Sequence, residues 1–149
     1  MRSRCFSKKG VARAVAILML SGALVGEAGA EPVVVVNNTN PISSIGVDEL
    51  RLIYNGGKKF FEAKLPIQPA GLEPENPVRR EFFSRWLHVG EESYRLYWLR
   101  MIFSGKGKPP VELKTEEDVL KYVAERKGGL AYVDSESVTE QVKVIQVTE

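Results

Sequence analysis

The residues best placed to bind a small ion surround a helix start in the stretch AGLEPENPVRREFF, residues 70–83. Asn76 is a preferred N-cap residue, and Pro77 fits the first position of a helix. Free N–H groups at the start of a helix attract anions, so this position predicts an anion site. Glu73 and Glu75 would place negative charge at the mouth of that site and oppose an anion.

The loop SGKGKPP, residues 104–110, is the best basic candidate elsewhere in the chain. Glycines flank Lys106 and Lys108 and would let backbone N–H groups approach a ligand, while the two ammonium groups would attract an anion. The loop lacks the GxxxxGK[ST] spacing of a P-loop. The alternative interpretation is a solvated turn whose lysines complement the C-terminal end of the preceding helix.

No combination of residues predicts catalysis or metal binding. His88 is the only histidine and Cys5 the only cysteine, which excludes histidine clusters and thiolate metal sites. Paired carboxylates occur only in loops or at helix starts, where they complement the helix dipole. We therefore expect a protein that is not an enzyme, with no catalytic residues, no cofactor and no metal.

Residues 1–30 have the parts of a secretory signal peptide. A basic segment precedes the short apolar stretch VARAVAILMLSGALVG, and the small-residue sequence AGA ends at Ala30. The apolar stretch is short for a membrane span, which needs about 20 residues; an uncleaved membrane anchor is the alternative. We expect a signal peptide at residues 1–30 and one periplasmic domain at residues 31–149, with membrane contact only through the signal peptide.

The charge balance of the predicted domain gives no support for nucleic-acid binding. Five of the 21 Lys and Arg residues and one of the 19 Asp and Glu residues lie in residues 1–30. The remaining 119 residues therefore carry a net charge of −2. A basic surface for nucleic acid or an anionic membrane is not expected.

The order of predicted elements indicates an α/β fold. Apolar runs predict strands at residues 31–37, 130–133 and 142–147, with a short extended segment at residues 64–70. Apolar spacing and capping residues predict four helices, which begin near Val47, at Asn76, near Tyr94 and at Thr115. Helices that separate strands favour a single compact domain with a mostly parallel sheet flanked by helices.

The third predicted helix carries an apolar stripe with the spacing of one helical face. Its members are Tyr94, Tyr97, Trp98, Met101 and Ile102. We interpret the stripe as core, and the alternative is an aromatic wall of a ligand site.

Three segments follow one another in a familiar order: VDELRLIYNGGKKFF, LPIQPAGLEPENPVRREFFSRWL and GGLAYV. Together they resemble the phosphate-binding proteins of bacterial phosphate ABC transporters, which belong to the type 2 periplasmic-binding-protein class. The resemblance rests on the order and spacing of these segments and covers nearly all of residues 33–147. The resemblance implies a periplasmic-binding-protein-like fold in a reduced form.

The sequence departs from that family where the family holds phosphate. The resemblance places the family's phosphate-binding Arg near Ala70 or Gly71, and its Ser-Gly-Thr on Glu75, Asn76 and Pro77. Ala70 and Gly71 have no charged side chain, and Pro77 has no N–H to donate. The resemblance therefore implies a scaffold without the usual phosphate-holding side chains.

Together, the residues and the resemblance predict a solute-binding-like protein related to phosphate receptors. We expect it to bind phosphate or another small anion, with an ABC transporter permease or another envelope protein as partner. The candidate ligand-binding residues are Asn76, Val78, Arg79, Arg80, Lys106 and Lys108. The alternative is an envelope interaction module that binds no ligand and docks to a sensor, a transporter or a second copy of itself.

Overall fold

A computed structural model describes residues 29–149 as one six-stranded sheet with helices packed against it. The strands are β1 Pro32–Asn37, β2 Ser44–Gly46, β3 Gln68–Leu72, β4 Val111–Leu113, β5 Gly129–Asp134 and β6 Val142–Thr148. The helices are α1 Val47–Tyr54, α2 Pro77–Phe82, α3 Glu91–Phe103 and α4 Glu116–Ala124. Short 3₁₀ turns at Glu62–Lys64 and Ser135–Ser137 and a π-helical turn at Phe83–Leu87 complete the regular structure of these residues.

The predicted signal peptide falls almost entirely on residues 1–28, which lie outside the described residues. Within residues 29–149, no helix is both long and apolar enough to cross a membrane. Every described strand and helix begins at Pro32 or later, so a chain that starts at Glu31 retains all of them.

The strand order is β2-β6-β1-β5-β3-β4. β1 is antiparallel to its neighbours β5 and β6, while the other neighbouring pairs are parallel. Five strands therefore share one direction, which confirms the predicted α/β class with a mostly parallel sheet. The three valines Val34, Val35 and Val36 are fully buried, as expected for a central strand covered on both faces.

The two edge strands, β2 and β4, were not predicted from the sequence. Each has three residues, too few to show an alternating pattern. Ile45 of β2 pairs with Val147 of β6, and Gly71 of β3 pairs with Glu112 of β4. These strands exist because distant segments of chain offer them backbone partners.

Both predicted helix caps are confirmed. The Asn76 side chain accepts a 2.9 Å hydrogen bond from the Val78 N–H at the start of α2. At the start of α4, the Thr115 hydroxyl accepts from the Asp118 N–H at 3.1 Å. These caps follow local rules and need no tertiary partner.

Directly after Phe82, α2 continues as a π-helical turn, Phe83–Leu87, which His88 ends with a φ of +52°. A π turn inserts an extra residue into the helical repeat. The consecutive residues Phe82 and Phe83 lie where the α-helix becomes a π turn, and both are buried. The turn was not predicted, because a helical pattern with normal spacing also fits this stretch.

An aromatic cluster joins the three segments that carry the family resemblance. Phe82 stacks on Tyr132 with ring centroids 3.8 Å apart, and the Tyr54 ring packs edge-on to Phe82 at 5.1 Å. The Tyr54 hydroxyl donates to the Ala70 carbonyl at 2.8 Å. The Tyr132 hydroxyl accepts from the Leu72 N–H at 3.2 Å. The core therefore fixes β3, from which the chain leads into α2.

Candidate functional site

A groove of about 1080 Å³ opens beside α2 and α3, and we call it the Arg79 groove. Its apolar wall includes Phe83, Tyr94, Trp98, Leu99, Ile102 and Val111. Its charged residues are Glu75, Arg79, Arg80, Glu91, Glu92, Arg95 and Glu112. An apolar groove with a few converging polar groups is the common form of a ligand site.

Arg79 is the central charge of the groove, and only 4% of the residue is exposed. Its Nε and Nη2 donate to the two carboxylate oxygens of Glu91 at 2.7 and 2.8 Å. Its Nη1 donates to the Glu112 carboxylate at 2.8 Å and to the Leu72 carbonyl at 2.6 Å. The guanidinium also lies over the Phe83 ring, 4.6 Å from its centroid.

These contacts keep Arg79 charged. Burial by itself would lower the pKa of Arg79, but hydrogen bonds to Glu91 and Glu112 outweigh it and raise the pKa above its usual range. A buried charge is stable only when paired and hydrogen-bonded, and two carboxylates and one carbonyl meet that requirement here.

Arg79 does not lie on a solvent-exposed face of its helix. The side chain points into the protein because Glu91 and Glu112 provide opposite charges there, from α3 and β4. These partners are 12 and 33 residues away in the sequence. No local spacing rule could have identified them.

The remaining charges of the groove do not form a strong anion site. Arg80 is exposed, and its Nη2 lies 3.4 Å from the Glu75 carbonyl. Arg95 pairs with Glu92 at 2.6 Å in the solvent, and this hydrogen bond lowers the pKa of Glu92. The lining contains three arginines and four glutamates, so its formal charge is negative.

Glu75 has an unusual backbone conformation, with a φ of +74°. The left-handed region is costly for a residue with a Cβ atom, by about 1–2 kcal/mol. Glu75 occupies it in the turn immediately before the Asn76 cap, where it lines the groove. Strain of this kind is enriched at functional sites.

The other predicted site residues are near the groove but do not line it. Asn76 and Val78 form a hydrogen bond with each other, in which the Val78 N–H donates to the Asn76 side chain. Lys106 and Lys108 are exposed on their loop, which reaches the groove only through Pro109 and Pro110. The helix start and the SGKGKPP loop therefore border the same groove, through Glu75 and these two prolines.

Part of the apolar stripe of α3 belongs to the core, and part of it faces the Arg79 groove. Tyr94 and Trp98 are buried, which confirms the core interpretation for that half of the stripe. Tyr94, Trp98 and Ile102 also line the Arg79 groove. Ile102 is 48% exposed, so the stripe leaves the core toward the end of the helix.

Within residues 29–149, no group of three or more His, Cys, Asp or Glu side chains is arranged to hold a metal ion. No protein-family model matches the sequence, and no curated protein matches it.

Solved structures of phosphate transport proteins share the fold. An ABC-type phosphate transport receptor from Vibrio cholerae superposes with a TM-score of 0.64 at 18% identity, over 79% of this chain and 46% of that chain. A Clostridium perfringens protein assigned as a phosphate ABC transporter substrate-binding protein was solved with bound phosphate. It superposes with a TM-score of 0.64 at 13% identity, over 79% of this chain and 45% of that chain. PstS from Borrelia burgdorferi superposes with a TM-score of 0.61 at 11% identity, over 81% of this chain and 48% of that chain.

The chain spans less than half the length of each of these three proteins. At such identities the likeness shows the fold alone. The six-stranded α/β domain thus has the periplasmic-binding-protein-like fold of phosphate ABC transporter substrate-binding proteins, over part of their length.

Proposed function

We propose that the protein is a non-enzymatic, solute-binding-like protein and that the Arg79 groove binds its ligand, a small anion such as phosphate. One observation carries the proposal: a buried, hydrogen-bonded guanidinium lines an open groove of about 1080 Å³ on a receptor-like fold. Arginine is well suited to bind phosphate and carboxylate, because its planar fork matches two oxygen atoms.

An anion in the groove would compete with the protein's own carboxylates. Glu91 holds Arg79 with two hydrogen bonds, whereas Glu112 receives only one. Glu112 is therefore the carboxylate that a ligand would displace. Arg80 is exposed, lines the same groove and would supply the second positive charge.

The other predicted residues would act through the electrostatic field. Lys106 and Lys108 precede the two prolines at the groove and add positive charge to its surroundings. Asn76 and Val78 form the capped start of α2, whose dipole is positive at that end. Because four glutamates also line the groove, we expect weak binding, on the order of a millimolar dissociation constant.

Isothermal titration of the chain from Glu31 to Glu149 with phosphate, sulfate and acetate tests the proposal. We expect heat with phosphate, several-fold tighter binding in Glu112→Gln, and several-fold weaker binding in Arg80→Ala. Glu117→Gln, at an exposed position of α4 outside the groove lining, is the matched control and should bind as the parent does. Silence with all three anions at millimolar concentration would remove the ligand claim.

The proposed location is the periplasm, with a cleaved signal peptide and an ABC permease or another envelope protein as partner. The three-part pattern of residues 1–30 supports this location. N-terminal sequencing of the protein recovered from a bacterial periplasm should give Glu31 as the first residue. Recovery of the intact chain in the membrane fraction would support the anchor alternative.

A further inference from the structure

An exposed apolar stripe runs along α3, on the side away from the core. Its members are Leu96, Leu99, Ile102 and Phe103, and we call them the α3 stripe. The most exposed is Phe103, at 87%. Leu96, Leu99 and Phe103 are separated by three and four residues, the spacing of one helical face. Large apolar side chains grouped on one face of a surface helix mark an interaction site.

The charges at the two ends of α3 have opposite signs. Glu91 and Glu92 lie in the first turn, where Glu91 is bound by Arg79 and the exposed Glu92 pairs with Arg95, and Arg100 lies in the last turn. Lys106 follows the helix and stays close to it, because its N–H donates to the Met101 carbonyl at 3.0 Å. Because the Glu92–Arg95 pair is exposed, Glu92 can exchange Arg95 for Lys106 of a reversed second copy, with the apolar side chains between them.

We propose that the α3 stripe binds the α3 stripe of a second copy of this chain, with the two helices antiparallel about a two-fold axis near Leu99. In that register, Leu99 meets its own equivalent and Leu96 meets Ile102. Glu92 then faces Lys106 of the other copy. Two-fold pairing requires this kind of self-complementary surface, and a single helix per copy supplies it.

The size of the patch sets the strength of the dimer. One helix of 13 residues per copy gives an interface near the lower limit for specific association, roughly 1,000 Å² in total. The dimer is therefore weak and depends on protein concentration. Leu99, Ile102 and Glu92 also line the Arg79 groove, so the dimer would cover part of that groove, but no contact it uses requires a bound anion.

Sedimentation velocity of the chain from Glu31 to Glu149, from about 5 µM to about 500 µM, tests the proposal without any ligand. We expect the dimer fraction to rise with concentration, and Leu99→Asp to weaken the dimer at least about tenfold. Leu52→Asp changes an exposed leucine of α1 and is the matched control, which should leave the dimer unchanged. Circular dichroism checks that both variants stay folded.

Charge reversal tests the antiparallel register. Glu92→Lys and Lys106→Glu should each weaken the dimer, and the double variant should restore it, because each copy then offers the reversed pair to the other. A monomer at every concentration overturns the proposal. A dimer that Leu99→Asp leaves intact also overturns it, as does a double variant no better than the two single ones.

Discussion

The carboxylate of Glu91 meets the guanidinium of Arg79 in two parallel hydrogen bonds, of 2.7 and 2.8 Å. Arg79 belongs to α2 and Glu91 to the first turn of α3. The same guanidinium bonds the Leu72 carbonyl of β3 and the Glu112 carboxylate of β4. One side chain thus joins two helices and two strands around the groove, so its partners should differ measurably in their effect on stability.

We predict that Glu91→Gln lowers the free energy of unfolding more than Glu112→Gln does. Glu91 accepts two charge-assisted hydrogen bonds and Glu112 one, and their side chains are 39% and 46% exposed. Water screens both, so we expect losses of about 2 and about 1 kcal/mol rather than those of fully buried pairs. Urea unfolding followed by circular dichroism measures both values.

The control for these variants is Glu92→Gln, which changes the adjacent glutamate and its exposed pair with Arg95. It should not change the midpoint of unfolding, because exposed ion pairs contribute little. Equal losses at Glu91, Glu92 and Glu112 would contradict the role assigned to Arg79.

Local sequence signals predicted much of the fold. The apolar runs gave β1, β5 and β6, and the caps at Asn76 and Thr115 placed the starts of α2 and α4, because these features depend on neighbouring residues. The short strands β2 and β4 depend on β6 and β3, which are distant in sequence, so no local pattern reveals them.

The candidate site was predicted less completely. Of the six residues selected from the sequence, Arg79 and Arg80 line the groove, and Tyr94 and Trp98 of the α3 stripe predicted as core line it as well. The arrangement around Arg79 could not be predicted, since Glu91 and Glu112 reach it only through the packing of α3 and β4 beside α2. Charge pairing across elements is a tertiary property, whereas helix capping is a local one.

We predict that the protein loses stability above about pH 10, the usual pKa of tyrosine. Burial raises the pKa of Tyr54 and Tyr132, and the neighbouring tyrosines raise that of Tyr54 further. A pKa raised by folding means that the native state favours the neutral phenol. This stabilisation is fully present below the pKa of the unfolded chain and is lost as the pH rises toward the folded pKa.

Urea unfolding at several pH values measures this loss. The free energy of unfolding should fall above pH 10 by about 1.4 kcal/mol per pH unit for each such tyrosine. Tyr132→Phe should reduce that slope, while costing about 1 kcal/mol at neutral pH because the Leu72 N–H loses its acceptor. An unchanged slope in Tyr132→Phe would show that Tyr132 ionises as freely in the folded protein as in the unfolded chain.

We predict that Gly128→Ala destabilises the protein severely. A Cβ atom at this position would lie 1.8 Å from the Pro66 carbonyl oxygen, and the Gly128 carbonyl accepts a 2.8 Å hydrogen bond from the Gln68 N–H. Both neighbours are backbone, so the clash can be relieved only by moving the start of β3. We expect a loss of about 3 kcal/mol or more, measured by urea unfolding.

Gly46→Ala is the matched control for that substitution. A Cβ atom there has no neighbour within 4 Å, and the backbone φ of −71° suits any residue. Its unfolding midpoint should stay close to that of the parent. A Gly128→Ala variant as stable as Gly46→Ala would show that the close approach of residues 66 and 128 is not required.

We predict that Asn37→Asp is most destabilising at neutral pH. The buried Asn37 amide nitrogen donates to the Val123 and Ala124 carbonyls at the end of α4, at 2.9 Å each, and its oxygen accepts from Thr39. A carboxylate cannot donate, and it would bring negative charge to the negative end of the helix dipole. We expect a loss of about 3 kcal/mol near pH 7 from the lost hydrogen bonds and the unpaired charge.

The same reasoning fixes the sign of the pH dependence. The fold would favour the protonated form of the introduced acid, so the deficit relative to the parent should shrink as the pH falls toward about 4, the usual pKa of aspartate. Urea unfolding of parent and variant at matched pH values measures the difference. Asn38→Asp, at the adjacent exposed position, should cost less than about 1 kcal/mol at neutral pH. A deficit at position 37 that does not depend on pH would show that the introduced acid has the same pKa in the folded and unfolded chains, and that it is therefore solvated in both.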